Sequence, residues 1–230
     1  MKNRLILSCL CLIFATSYSQ TATNKMSENT TPPVAKKISK TIEKHGDKRN
    51  DDYFWLNDRE NPEVIDYLNK ENEYYEQMTA HTKDFQTQLF EEMKGRIKED
   101  DSSVPYFFNG YWYITRFETG KNYPIYARKK ESLTAKEEIL FDCNEMAIGH
   151  SYFQLGGMSV SQDNKLASFA VDVVGRRIYT IQIKNLETGE ILKDKIENVT
   201  GSCAWSNDNK TLFYTKQDEQ TLRADKVLKH

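Results

Sequence analysis

An excess of charge of either sign is missing from this chain of 230 residues: 32 Lys and Arg stand against 34 Asp and Glu, a net charge of −2. That balance excludes the bulk electrostatic footprint on which nucleic-acid or anionic-membrane binding depends. Histidine is sparse, and His45, His81, His150 and His230 are isolated from one another. No HExxH, no histidine pair at i, i+4 and no acidic calcium-type loop occurs, so no metal site is expected. Of the four cysteines, Cys9 and Cys11 lie in an apolar stretch near the N-terminus, which leaves Cys143 and Cys203. These have neither CxxC nor metal-ligand spacing. Glycine is limited to ten residues, and Gly46 and Gly156-Gly157 lack the spacing of a phosphate loop. No cofactor is expected from these motifs. Apolar residues make up only 38% of the chain, yet aromatic residues reach 12%. A disordered chain is poor in aromatics, so a folded core is expected.

Long apolar runs are also absent. The longest, Leu5–Ala15, follows the basic start Met1-Lys2-Asn3-Arg4 and precedes the small and polar residues Thr16–Gln20. It is too short to span a bilayer, which takes ~20 residues. The order of basic, apolar and small residues is that of a secretory signal. Ser17 and Ser19 suit the −3 and −1 positions, so cleavage before Gln20 and a periplasmic or secreted location are expected, with 1–19 as signal peptide. A lipoprotein signal ending at Cys9 would leave almost no apolar region. Met26 remains open as an alternative start.

Residues 20–44 are rich in Thr, Lys and Pro and read as a flexible lead-in. The segment 45–101 reads as helical. Asp51–Leu56 is an aromatic knot, and Asn61, Pro62 and Glu63 supply an N-cap, a first-turn proline and a first-turn acid. Val64, Leu68, Tyr75 and Met78 fall near one stripe, and Phe85, Leu89, Met93 and Ile97 form another with Phe90 beside it. One helix or two over 61–98 is expected, with nothing helical after it. Such stripes with no helical partner must cover something else.

From Val104 the period changes to two. Val104–Phe108, Tyr111–Phe117, Tyr123–Lys130 and Glu138–Asp142 are expected strands, and Asn109-Gly110 between the first two is a hairpin turn signal. Met158–Ser161, Leu166–Val174, Ile178–Leu186 and Ile191–Ile196 form a second set, and Cys203–Ser206 with Thr211–Gln217 begins a third. Ser161-Gln162-Asp163-Asn164-Lys165-Leu166 matches Ser206-Asn207-Asp208-Asn209-Lys210-Thr211-Leu212 at an offset of 45 residues. A four-stranded unit repeating every ~40–50 residues is the pattern of a β-propeller blade. The repeat alone leaves open two similar hairpin turns of independent origin. The fold class expected is mainly β with N-terminal helices: about two and a half blades, 102–230, of a partial propeller. On this register Cys143 and Cys203 sit a full blade apart, and two free thiols are expected.

Catalytic sets are not found. Gly157-Met158-Ser159-Val160-Ser161 is the nearest approach to a nucleophile elbow, but it lacks the closing glycine and precedes a strand turn rather than a helix. An inner blade strand is the better reading of Ser159. Glu99-Asp100-Asp101 reads as a solvated connector, and the sequons at Asn198 and Asn209 as chance occurrences.

Longer motifs carry a resemblance. His45-Gly46-Asp47 followed by Asp51-Asp52-Tyr53-Phe54-Trp55-Leu56 resembles the N-terminal signature of prolyl oligopeptidase-type serine peptidases. Gly95-Arg96-Ile97-Lys98-Glu99-Asp100-Asp101-Ser102-Ser103-Val104-Pro105-Tyr106 narrows it, as do Tyr111-Trp112-Tyr113 and Tyr123-Pro124-Ile125-Tyr126. Gly175–Thr180 and Glu197–Ser202 fit the same pattern, which is similar to the oligopeptidase B (protease II) branch. The resemblance implies a seven-bladed propeller that limits substrate size. It also implies an α/β-hydrolase domain, absent from these residues, that carries the Ser, Asp and His of hydrolysis after Lys or Arg. The helical segment would pack on that domain. Partners so implied are short basic peptides and the hydrolase domain. No catalytic, cofactor-binding or metal residue transfers to any position here, and the chain alone is expected to be inactive. The alternative is a non-enzymatic propeller-type binding module.

Overall fold

The computed structural model describes residues 31–230, which form two units, one running to Arg96 and one from Ile97 onward. The signal-type segment lies outside the described residues.

The first unit begins with a hairpin that the sequence patterning does not indicate. Strands β1 (Lys40–Lys44) and β2 (Asp47–Asp51) pair antiparallel from Lys40↔Asp51 to Lys44↔Asp47. His45 and Gly46 both take positive φ, 56° and 82°. A two-residue turn of that hand matches the twist of the strands it joins. The strands are mostly charged and exposed, with Ile42 their one apolar residue, so no alternation of polarity marks them. The segment before them, read as flexible, is tied down: Trp55 Nε1 donates to the Lys36 carbonyl at 2.9 Å and Lys36 Nζ pairs with Glu63 at 2.8 Å.

Two helices follow, α1 (Pro62–Thr79) and α2 (Lys83–Gly95), separated by a single 3₁₀ turn at Ala80–Thr82. The start is as the residues predict: the Asn61 side chain accepts from the Glu63 N–H at 2.9 Å and Pro62 opens the helix. Val64 is the buried residue of α1, and α2 buries none. Phe85, Leu89, Phe90 and Met93 are between 40% and 63% exposed.

The second unit is built of antiparallel blades. The first blade orders β3 (Tyr106–Phe108), β4 (Tyr111–Arg116), β5 (Ile125–Lys130) and β6 (Glu137–Asp142) as neighbours. A short helix α3 (Cys143–Met146) follows, capped by Asp142; it corrects the expectation that nothing helical comes after Gly95. Its four residues carry no helical periodicity to read. The second sheet runs β7 (Gln154–Val160), β8 (Leu166–Asp172), β9 (Tyr179–Asn185), β10 (Ile191–Trp205), β11 (Leu212–Gln217) and β12 (Ala224–Lys229), each beside the next. Strand β10 is where two blades merge. Its first part pairs with β9, and its last part, Cys203–Trp205, pairs with β11.

The 45-residue repeat survives as register. Met158↔Phe169, Ser159↔Ser168 and Val160↔Ala167 in one blade correspond to Cys203↔Tyr214, Ala204↔Phe213 and Trp205↔Leu212 in the next. Together these sheets are the blades of a partial β-propeller. Side chains alternate between the faces of a strand, and β8 uses both. Ala167 and Phe169 join Tyr113, Leu140 and Phe141 of the first blade, with the Phe141 and Phe169 rings 4.7 Å apart. Ala170 joins Ile181, Val199 and Leu212 toward the third. A strand sandwiched in this way reads as a near-continuous apolar run, as Leu166–Asp172 does.

Candidate functional site

The residues weighed for chemistry do not converge. Ser159 lies inside β7, paired with Ser168, and its carbonyl accepts from Ser168 Oγ at 3.2 Å and Trp205 Nε1 at 3.0 Å. This is a blade strand held to its neighbours, not an exposed strand-to-helix elbow. His45 forms a hairpin turn, His81 lies in the 3₁₀ turn between α1 and α2, and His150 lies 6.4 Å from the Phe153 ring. His230 Nε2 lies 3.3 Å from Asp194. Among the described residues no histidine ring hydrogen-bonds a serine, threonine or cysteine. Glu99 accepts from the Gly120 N–H at 3.0 Å and Asp101 pairs with Lys98.

Both thiols among the described residues are free, Cys143 buried at the start of α3 and Cys203 half-buried on β10. Burial pushes Cys143 up to about 12. Cys203 is raised by burial too, against a contact of its Sγ with Ser168 Oγ at 3.1 Å. Neither is poised as a nucleophile, since the thiolate is the reactive form.

What the fold does organise is the two ends of the blades. At one end the turns interlock. Asn109 Nδ2 donates to the Gln162 carbonyl at 2.7 Å, Asn164 Nδ2 donates to the Asn109 carbonyl at 3.1 Å, and Asn209 Oδ1 accepts from the Asp163 N–H at 3.1 Å. Three asparagines with positive φ, 46°, 61° and 58°, thus tie each turn to the next. Asparagine tolerates that conformation and still offers a donor and an acceptor. Beside this ladder Arg128 is buried, paired with Glu138 at 2.9 Å and lying 3.8 Å from the Tyr111 ring centre.

At the other end, the fully buried Asp172 carboxylate accepts from the backbone N–H groups of Val174, Gly175 and Arg177 at 2.7–2.9 Å. Gln217 of β11 reaches back to the Arg177 carbonyl at 2.8 Å. The loop so fixed presents Arg176 at the rim of a groove of about 530 Å³, lined also by Val171, Val173, Lys195, Glu197 and His150. The groove is thus lined by charges of both signs beside a loop tied down by hydrogen bonds. Sequence reasoning did not single out Asp172, Arg128 or Gln217, because a buried polar residue in a strand looks like any outward-facing one. The Asp-Asn repeat was visible; its cross-blade bonding was not.

The chain as a whole is similar to known proteins. Residues 32–230 match the family model described as the prolyl oligopeptidase N-terminal beta-propeller domain. The chain belongs to the prolyl oligopeptidase family. Within it, dipeptidyl aminopeptidase BI of Pseudoxanthomonas mexicana is 43% identical over 90% of this chain, and protease 2 of Moraxella lacunata is 38% identical over 81%. The solved structure of oligopeptidase B from Leishmania major superposes with a TM-score of 0.80 at 32% identity over 88% of this chain. The chain spans only 31%, 28% and 31% of the length of these relatives. It therefore matches prolyl oligopeptidases in their N-terminal propeller portion.

Proposed function

We propose that this chain is the N-terminal propeller portion of an exported serine oligopeptidase that hydrolyses short peptides after Lys or Arg, with the propeller limiting substrate size. The observation that carries this reading is the match of residues 32–230 to the family's propeller domain. A protease 2 at 38% identity and an oligopeptidase B structure at 32% support the oligopeptidase B branch on which that specificity rests. In this reading the nucleophile, base and oxyanion site, which must lie within hydrogen-bond reach of one another, belong to an α/β-hydrolase domain outside these residues. The exposed stripe of α2 is the surface that meets that domain. Residues 1–19 direct export, with cleavage before Gln20.

A second reading comes from the relative at 43% identity, which is named a dipeptidyl aminopeptidase. An activity of that kind requires a free N-terminus on the substrate, whereas cleavage within a peptide does not. The test is a chimera in which this chain replaces the matching part of the Moraxella lacunata relative. It is assayed on fluorogenic Arg–Arg substrates with blocked and free N-termini and on a long unfolded polypeptide. Turnover of the blocked short substrate, with the long chain spared, is expected. Turnover restricted to the free N-terminus would favour the second reading, and a folded chimera that degrades the long chain would refute the propeller's role. Mass spectrometry of the mature N-terminus in the native host tests export: an intact Met1, or a start at Met26, would overturn it.

A further inference from the structure

The three turn asparagines differ in one respect that matters chemically. Asn164 is followed by Lys165 and Asn209 by Lys210, but Asn109 is followed by Gly110, the sole Asn-Gly pair in the sequence. An asparagine side chain can be attacked by the amide nitrogen of the next residue, and the side chain of that residue is what ordinarily obstructs the approach. Gly110 offers none. A Cβ placed on it would meet nothing within 4 Å, so the space around this peptide is open to solvent. Asn109 itself is exposed.

We propose that Asn109 is a site of intramolecular deamidation, and that its conversion unhooks the first blade's turn from the second. The Gly110 nitrogen loses its proton and bonds to Asn109 Cγ. The Cγ–Nδ2 bond breaks and the nitrogen leaves as ammonia, closing a five-membered succinimide. Water then opens the ring at either carbonyl, to aspartate or to isoaspartate. One water enters and one ammonia leaves, with no change of oxidation state.

The structural consequence follows from the contact that Asn109 makes. Its Nδ2 is the donor to the Gln162 carbonyl at 2.7 Å. An ionised carboxylate only accepts, so after conversion two acceptors face each other across the seam. The isoaspartate product also threads the backbone through Cβ and Cγ. That lengthens a two-residue turn whose flanking residues, Phe108 and Tyr111, are paired in register. The Asn164 and Asn209 turns share the left-handed backbone without the reactive neighbour, and serve as internal controls.

The experiment is to age the purified chain in mildly alkaline buffer and map its peptides by mass spectrometry. The aged, more acidic form is then separated by ion exchange. Acid at position 109 is expected to accumulate several-fold faster than at 164 or 209. Hydrogen exchange at Gln162–Asn164 is expected to be faster in the aged form, and in an Asn109→Asp variant, than in fresh protein. Conversion at 109 no faster than at 164 and 209 would overturn the proposal. Unchanged exchange at 162–164 in a separated form that carries acid at 109 would do the same, without relying on the variant to fold.

Discussion

Gly157 on β7 and Gly201 on β10 bring two backbones together: a Cβ built on Gly157 falls 1.9 Å from the Gly201 carbonyl oxygen. Both strands shift register there, between Leu155 and Met158 and between Val199 and Cys203, as glycines at bulges and close approaches do. Gly157→Ala is expected to destabilise the blades by ~3 kcal/mol or more, because backbone cannot yield as a side chain can. Gly189→Ala, strained only by its φ of 77° with nothing within 4 Å, should cost ~1 kcal/mol. Urea melts of the two variants check the contrast, and equal losses would contradict it. Asp163 and Asp208 make a second case. Hydrogen bonds from the Ser161 and Ser206 hydroxyls come first among the causes that hold their carboxyls below the usual carboxylate range. A depressed pKa contributes stability above the unfolded value, near ~3.9, that is lost as pH falls toward the folded one. The double variant Asp163→Asn, Asp208→Asn should therefore show a flatter fall in stability below about pH 4 than the wild type. An unchanged slope there would count against the assignment. The aspartates were legible as repeated turn residues; the role of Gly157 was not, since its partner lies in another strand of another blade.

At the scale of elements, what was legible depended on whether a segment is amphipathic in its own right. Strands β4, β5 and β6 were readable from period-two patterning because each buries side chains within its own unit, and β3, exposed throughout, was readable from the Asn109-Gly110 turn that pairs it with β4. Strands β1 and β2 were not, because they are charged on both faces and owe their pairing to the His45-Gly46 turn. Two helices were among the expectations for 61–98, but the position of the break at Ala80–Thr82 was not legible because neither Pro nor Gly marks it. The stripe of α2 was legible, yet in these residues it lies exposed, with Phe85 at 63% and Phe90 at 57%. Burial of one such side chain is worth ~1.5–3 kcal/mol, so a surface of several drives association. The chain alone is expected to self-associate, and Leu89→Lys with Met93→Gln should restore a monomer by sedimentation. A wild-type chain that is monomeric and sharply melting would argue against an apolar docking face.

For the molecule as a whole, the fold was legible through its repeat and its longer motifs, and the expectation that the catalytic set lies in a hydrolase domain outside these residues came from the resemblance those motifs carry, not from patterning. The purified chain is expected to show no hydrolysis of Arg–Arg fluorogenic substrates. Activity that disappears in a Ser159→Ala variant would place a nucleophile in β7 after all. The long strand β10 has a further consequence, for the way the molecule comes apart. It contributes ladder bonds to β9 and to β11, so neither blade can melt without stripping an edge from the other. In stacked repeats, stability is a sum of unit terms and nearest-neighbour couplings. A shared strand makes this coupling strong, whereas β6 and β7 share none. Amides of β8–β11 should therefore exchange hydrogen together, as one cooperative block, while those of β3–β5 open separately. A chain nicked near Thr200 should lose that concerted behaviour and keep the independent opening of the first blade.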